Sequence, residues 1–206
     1  YILAWVEWMR SPADKRVRVR RPEGAHLLSA PGLEPALFEV TPATRSLLLT
    51  APTAESLNGE SHLRRMLALL DGDDPSLQVL AAAELASRST LRSQLTRRER
   101  RHLQATVRDA RRSPVARAQL LDAAQFHAAE FGSGWAPVAQ AVVAEEPVSL
   151  QPGQPNERLV WSAFQLLGAA DVRLRRATLA RWATSGNGAL AEQALLLLRR
   201  SNPDAE

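Results

Sequence analysis

The chain has 206 residues, 45% of them hydrophobic and 23% charged, with a net charge of +4. That length can bury a core in one large domain or two small ones, and the balance excludes wholesale disorder. The absence of cysteine excludes disulfides, thiolate metal sites and cysteine nucleophiles, and a net charge this small speaks against a uniformly basic nucleic-acid binder.

The segment YILAWVEWM at residues 1–9 is apolar but too short to span a bilayer. It lacks the basic flank and cleavage site of a signal peptide, so a signal or anchor upstream of Tyr1 stays open. Bacterial cytoplasm and periplasm are both compatible with the composition. Next, KRVRVRRPEG alternates Val17 and Val19 with Arg16, Arg18 and Arg20, a period of two that predicts a strand ended by Pro22 and Gly24. ALFEV (36–40) and RSLLLT (45–50) are further strand-length runs. Residues 1–56 are therefore expected to form a small β-containing N-terminal module or an arm, and residues 57–206 a helical domain.

From Ser61 onward the period becomes helical. Leu63, Met66, Leu67 and Leu70 make one apolar stripe, closed by DGDDP. Asp74 with Pro75 predicts the start of the next helix, SLQVLAAAELASR. Thr96 and Glu99 have capping-box spacing ahead of an arginine-rich helix, and Ser113 with Pro114 opens VARAQLLDAAQFHAAEF, closed by Gly132. A shorter helix is expected from Pro137 to Glu145, followed by the proline-rich loop EEPVSLQPGQPNE. Asn156 and Asp171 are the expected caps of ERLVWSAFQLLGAA and VRLRRATLARWAT, and GALAEQALLLLRR ends the fold.

Charge is concentrated. Residues 88–117 hold ten arginines against Glu99 and Asp109, whereas residues 118–170 hold Arg158 against Asp122, Glu130, Glu145, Glu146 and Glu157. Lys15 is the single lysine, a bias that fits a GC-rich bacterial genome as well as a selected anion surface. In a continued helix, Arg97, Arg101, Arg108 and Arg112 lie within about 60° of one another, with Arg111 beside them, and Leu103, Val107 and Ala110 on the core side. Such a stripe is either a solvated face or a binding surface for nucleic acid, anionic lipid or an acidic protein.

Five tryptophans, Trp5, Trp8, Trp135, Trp161 and Trp182, could pack in cores or anchor a partner. Trp161 and Trp182 read as core; Trp135, among the turn residues of FGSGWAP, reads as exposed and joins Arg97, Arg101, Arg108, Arg111 and Arg112 as a candidate binding residue. His26, His62, His102 and His127 are scattered, without metal-ligand spacing. His127 joins an apolar face and reads as structural. No nucleophile elbow, phosphate-binding glycine loop or carboxylate pair is present, so no catalytic residue, metal or organic cofactor is expected.

Pro75 and Pro114 stand 39 residues apart, each opening a helix after a turn. With DDPSLQVLAAAEL, SPVARAQLLDAA and DVRLRRATLARWA, this spacing resembles HEAT-type repeats over about residues 61–200. The first copy lacks the arginine, and the loop at 147–155 breaks the period. The resemblance implies antiparallel helix pairs stacked as a short α-solenoid. It also implies a non-catalytic interaction scaffold, or a domain of a larger bacterial assembly, with another protein as partner. The alternative is a nucleic-acid-binding HEAT-like protein using residues 97–112. DNA glycosylases of that kind use Trp, Asp and Arg on a concave face, for which Trp135, Trp161, Asp122 and Arg158 are the right residue types.

Overall fold

The computed structural model describes residues 59–201, together with the backbone of residues 25–28 and 36–39. Ala25–Leu28 (β1) pairs antiparallel with Ala36–Glu39 (β2), Ala25 opposite Glu39 and Leu28 opposite Ala36. The strands expected at 16–20 and 45–50, Trp5, Trp8 and the rest of the expected N-terminal module lie outside the described residues. From residue 59 the described chain is helical. The helices are α1 (Glu60–Asp71), α2 (Pro75–Ser87), α3 (Ser89–Arg92), α4 (Arg97–Arg108), α5 (Pro114–Phe126), α6 (Ala128–Phe131), α7 (Trp135–Glu145), α8 (Pro155–Ala169), α9 (Arg176–Ala183) and α10 (Gly188–Ser201).

The chain divides into two compact units, Tyr1–Gln94 and Leu95–Glu206. In the first, α1 and α2 pack across a short turn. Leu63, Met66, Leu67 and Leu70 are all buried, as their spacing requires. The Asp74 carboxylate accepts from the Ser76 and Leu77 amides, at 2.9 and 3.3 Å, and starts α2 behind Pro75. Glu84 is fully buried on α2, with Arg88 Nε at 2.5 Å and His62 Nε2 at 3.6 Å. Burial alone would raise its carboxyl pKa; the neighbouring His62 and Arg88 help to overcome that effect and hold it at about 2.

In the second unit α8 is central. It packs against α5, α7 and α10, while α4 lies on α5 and α7, and α9 on α10. Leu103 and Val107 of α4, Leu120 and Leu121 of α5, and Leu159, Phe164 and Leu167 of α8 are buried. Phe164 meets the fully buried Trp182 edge to face at 6.1 Å. Two starts follow the sequence. Thr96 and Glu99 form a reciprocal capping box, and the Ser113 hydroxyl accepts from the Ala116 amide at 3.5 Å.

Several boundaries differ from the sequence expectation. α5 ends at Phe126, because His127 leaves helical geometry, and α6 is a separate single turn. α7 begins at Trp135, two residues before Pro137, which is placed in the first helical turn where it forfeits no bond. Pro155, not Asn156, opens α8, since proline suits the first position; the Asn156 side chain instead donates to Glu146. Asp171 does not cap α9. It adopts a left-handed φ of 49° just past α8, where the Val172 amide returns to the Leu167 carbonyl at 3.2 Å, the bond that closes a helix C-terminus.

Two stability outcomes follow. Phe164→Ala should cost roughly 3–5 kcal/mol in denaturant unfolding, against under about 0.5 kcal/mol for the exposed Phe126→Ala; equal losses would contradict a core centred on α8. The Glu84 carboxyl is depressed below its ordinary 4.5, so its contribution is complete above that value and is lost as pH falls towards about 2. Acid unfolding monitored by circular dichroism should therefore be less steep in this window for Glu84→Gln; an unchanged slope would count against the pairing.

Candidate functional site

Two sets of arginines stand out in the structure. Those of the first complete helix C-termini, whose last carbonyls lack intrahelical donors and carry the negative end of the helix dipole. Arg92 Nη1 donates to the Ala86 carbonyl at 2.6 Å, at the end of α2. Arg117, on α5 and only 4% exposed, donates from Nε to the Val107 carbonyl of α4 at 2.7 Å. Its Nη1 pairs with Glu146 Oε1 at 3.2 Å. Glu146 Oε2 accepts from Asn156 Nδ2 of α8 at 2.7 Å. Burial pulls the Arg117 guanidinium pKa down, and Glu146 opposes that shift. Arg181 Nη2 reaches the Val143 and Ala144 carbonyls of α7, both at 2.9 Å, beside the Trp182 indole, which donates to Val143 at 2.8 Å. Arg200 Nη1 donates to the Gly168 carbonyl of α8 at 3.3 Å.

The second group lies on α4. Arg97, Arg98, Arg101 and Arg108 are exposed, and no hydrogen bond or ion pair engages them among the described residues. The expected stripe is shorter than a continuous helix would make it. The Asp109 carboxylate accepts from the Arg111 amide at 3.1 Å, a local turn that competes with helix and ends α4 at Arg108. Arg111 then grips Asp109 with Nε and Nη2, both at 3.0 Å, and Arg112 Nε lies 3.3 Å from it. The Arg111 side-chain and amide bonds hold the Asp109 carboxyl at about 2. Arg111 and Arg112 therefore leave the stripe, and Ala110, expected inward, is exposed in the turn. Leu103 and Val107 face the core as their spacing requires.

Of the charges that remain on α4, Arg97, Arg98 and Arg101 oppose its local stability, whereas Arg108 stands in the last turn, where a cation suits the dipole. Arg97 and Arg98 occupy the first helical positions, where the dipole disfavours cations. Arg97 and Arg101 are also like charges one turn apart, a spacing that costs about 0.2–0.5 kcal/mol in isolated helices. Glu99, the acidic residue of this turn, is used by the capping box.

Trp135 is not exposed. Gly132 and Gly134 both take positive φ, 73° and 96°, and turn the chain so that the ring lies edge to face on Phe131 at 5.6 Å. Its indole donates to the Phe131 carbonyl at 3.2 Å, and the residue is 4% exposed. Gln104 Nε2 of α4 holds the turn by donating to the Ser133 carbonyl at 2.9 Å. Trp161 is half-buried. Arg158 and Asp122 bind each other at 2.7 Å across α8 and α5. His127 lies 3.9 Å from Glu130 and is half-buried. Among the described residues no group of histidine and carboxylate ligands could hold a metal ion, and no helix is long and apolar enough to cross a membrane.

One feature escapes sequence reading. An open apolar groove of about 250 Å³ is lined by Ala124, Gln125, Ala128, Trp135, Leu166 and Ala169. Phe126, next in sequence to Gln125, is 74% exposed. The available signal was the pair Phe126 and Phe131, about 140° apart on a continuous helix, so that one face cannot bury both. The chain matches no protein-family model, no curated protein and no solved structure.

The buried pairing supplies a direct measurement. Arg117→Ala should destabilise the protein by about 3–5 kcal/mol, because Glu146 stays buried without its cation and the Val107 carbonyl loses a donor. Arg111→Ala, on the surface, should shift urea unfolding by under about 0.5 kcal/mol. Comparable effects of the two would remove the special role of Arg117.

Proposed function

We propose that the chain is a non-catalytic protein-interaction scaffold whose Leu95–Glu206 unit is a short HEAT-like solenoid. The observation that carries this reading is the order of helix contacts. The helices fall into the pairs α4 with α5, α7 with α8, and α9 with α10. Across pairs, first helix meets first helix in α4 and α7, and second meets second in α5, α8 and α10. That nearest-neighbour pattern is the one a solenoid requires. The guanidinium caps support it, since Arg117 and Arg181 each tie a helix to the end of an earlier one.

Side chains of catalytic type are engaged in structure: Glu84 with Arg88, Asp122 with Arg158, and Glu146 with Arg117. The partner in this reading is another protein, in a larger bacterial assembly, and the groove beside Phe126 is where one of its apolar side chains would enter. Protein interfaces place such anchors at their centre, in preformed pockets.

A photo-reactive amino acid at position 126, in the full chain expressed in its native cells, should crosslink one reproducible protein. The same group at exposed Glu192 should not. Adducts of equal yield and composition from both positions, or none from position 126, would defeat the scaffold reading.

A further inference from the structure

We infer that the α4 face carrying Arg97, Arg98, Arg101 and Arg108 docks on the phosphate backbone of duplex nucleic acid, without reading base sequence. This goes beyond the scaffold reading and uses different residues.

The first support is the division among the arginines. Arg92, Arg117, Arg181 and Arg200 close helix ends, and Arg111 and Arg112 close on Asp109. The four on α4 do none of this, a property they share with the exposed Arg173, Arg175, Arg176 and Arg199, but of these they alone stand together on one helix. Two sit at the helix end where a cation is disfavoured, and Arg101 adds like charge one turn on. A local rule broken without structural gain is characteristic of a functional surface. An anionic partner supplies the missing charge complement.

The second support is what the face lacks. Leu103, Thr106 and Val107 are buried, so the exposed residue between Arg101 and Arg108 on this side is Ala105. A protein interface centres on apolar or aromatic anchors, and a membrane-surface helix inserts an apolar face. Neither is present here. Binding to single strands relies on exposed aromatic platforms, and α4 carries no Phe, Tyr or Trp. A helix face whose charges are all cationic suits a duplex backbone, whose negative charge is dense and regular. Arg97, Arg101 and Arg108 lie within about 40° of one another around the helix and span about 16 Å along it, enough to meet several phosphates. Guanidinium groups bind phosphate oxygens two at a time.

The test is titration of the full chain into a labelled DNA duplex of about 20 base pairs, followed by fluorescence anisotropy. Three to four phosphate contacts predict a log–log salt slope of about −3, hence roughly 40- to 150-fold weakening between about 50 and 200 mM salt. The variant R97Q/R98Q/R101Q/R108Q should lose at least about tenfold in affinity at the lower salt and flatten the slope towards zero. Its thermal midpoint should stay nearly unchanged, because relief of the conflicts at Arg97, Arg98 and Arg101 is set against loss of the favourable C-terminal cation Arg108. The single variants R101Q and R108Q should each reduce the slope by about one, which separates lost contacts from lost folding. No duplex binding at the lower salt overturns the inference, as does equal binding by the quadruple variant. Tighter binding to polyglutamate, or to vesicles containing phosphatidylserine, than to the duplex also overturns it and assigns the face to an acidic protein or a membrane. Crosslinking from position 126 is untouched by these substitutions, so the two readings fail separately.

Discussion

A buried guanidinium organises the Leu95–Glu206 unit. Arg117 closes the last turn of α4 through Val107, pairs with Glu146 at the end of α7, and through Glu146 reaches Asn156 in the first turn of α8. Arg181 of α9 adds a donor 3.4 Å from the Glu146 carbonyl. Five helices thus converge on one charge pair. A cation this deep is tolerable only when its donors are satisfied, so the helix ends must arrive together or not at all. The constraint fixes where α4 and α7 terminate relative to α5 and α8, which packing of alanine and leucine alone would leave loosely specified.

The same chemistry explains part of the arginine content. A helix C-terminus can be closed by a left-handed residue, as Asp171 does after α8, or by a donor from elsewhere in the fold. Arg92, Arg117, Arg181 and Arg200 are donors of the second kind, and their planar forks can serve two acceptors at once. Asn187 does related work at helix starts. Fully buried, it accepts from the Leu190 amide of α10 and donates to Glu157 in the first turn of α8, which with the Gly153 amide lowers the Glu157 carboxyl pKa. Polar side chains thereby take over specificity in a core dominated by alanine, leucine and valine.

Against that background the two surface features are of different kinds. The groove beside Phe126 is apolar and concave, with Trp135 as part of its wall. The α4 face is polar, exposed and rich in charge that the fold leaves uncompensated. The first is suited to a side chain entering from a partner, the second to an extended anion, and each is consistent with a helical scaffold that brings components together.

Sequence by itself determined what is local. The caps at Asp74, Thr96 with Glu99, and Ser113 act within three residues, and the stripe from Leu63 to Leu70 and the inward pair Leu103 and Val107 are fixed by helical period, so they were legible. The helical class of residues 59–201 follows from the same signals. Tertiary structure decided everything that joins distant residues. Arg117 is buried because Glu146, 29 positions later, arrives at its side. Trp135 is buried because two left-handed glycines and Gln104 of α4 fold the turn inward. Asn156 and Asp171 look like caps by composition, yet Pro155 and the closing turn of α8 claim those roles first. The arginine stripe was legible in register, but its length was not. Whether Asp109 continues a helix or turns to bind Arg111 and Arg112 is a contest between hydrogen bonds of similar strength, which helical period alone does not decide.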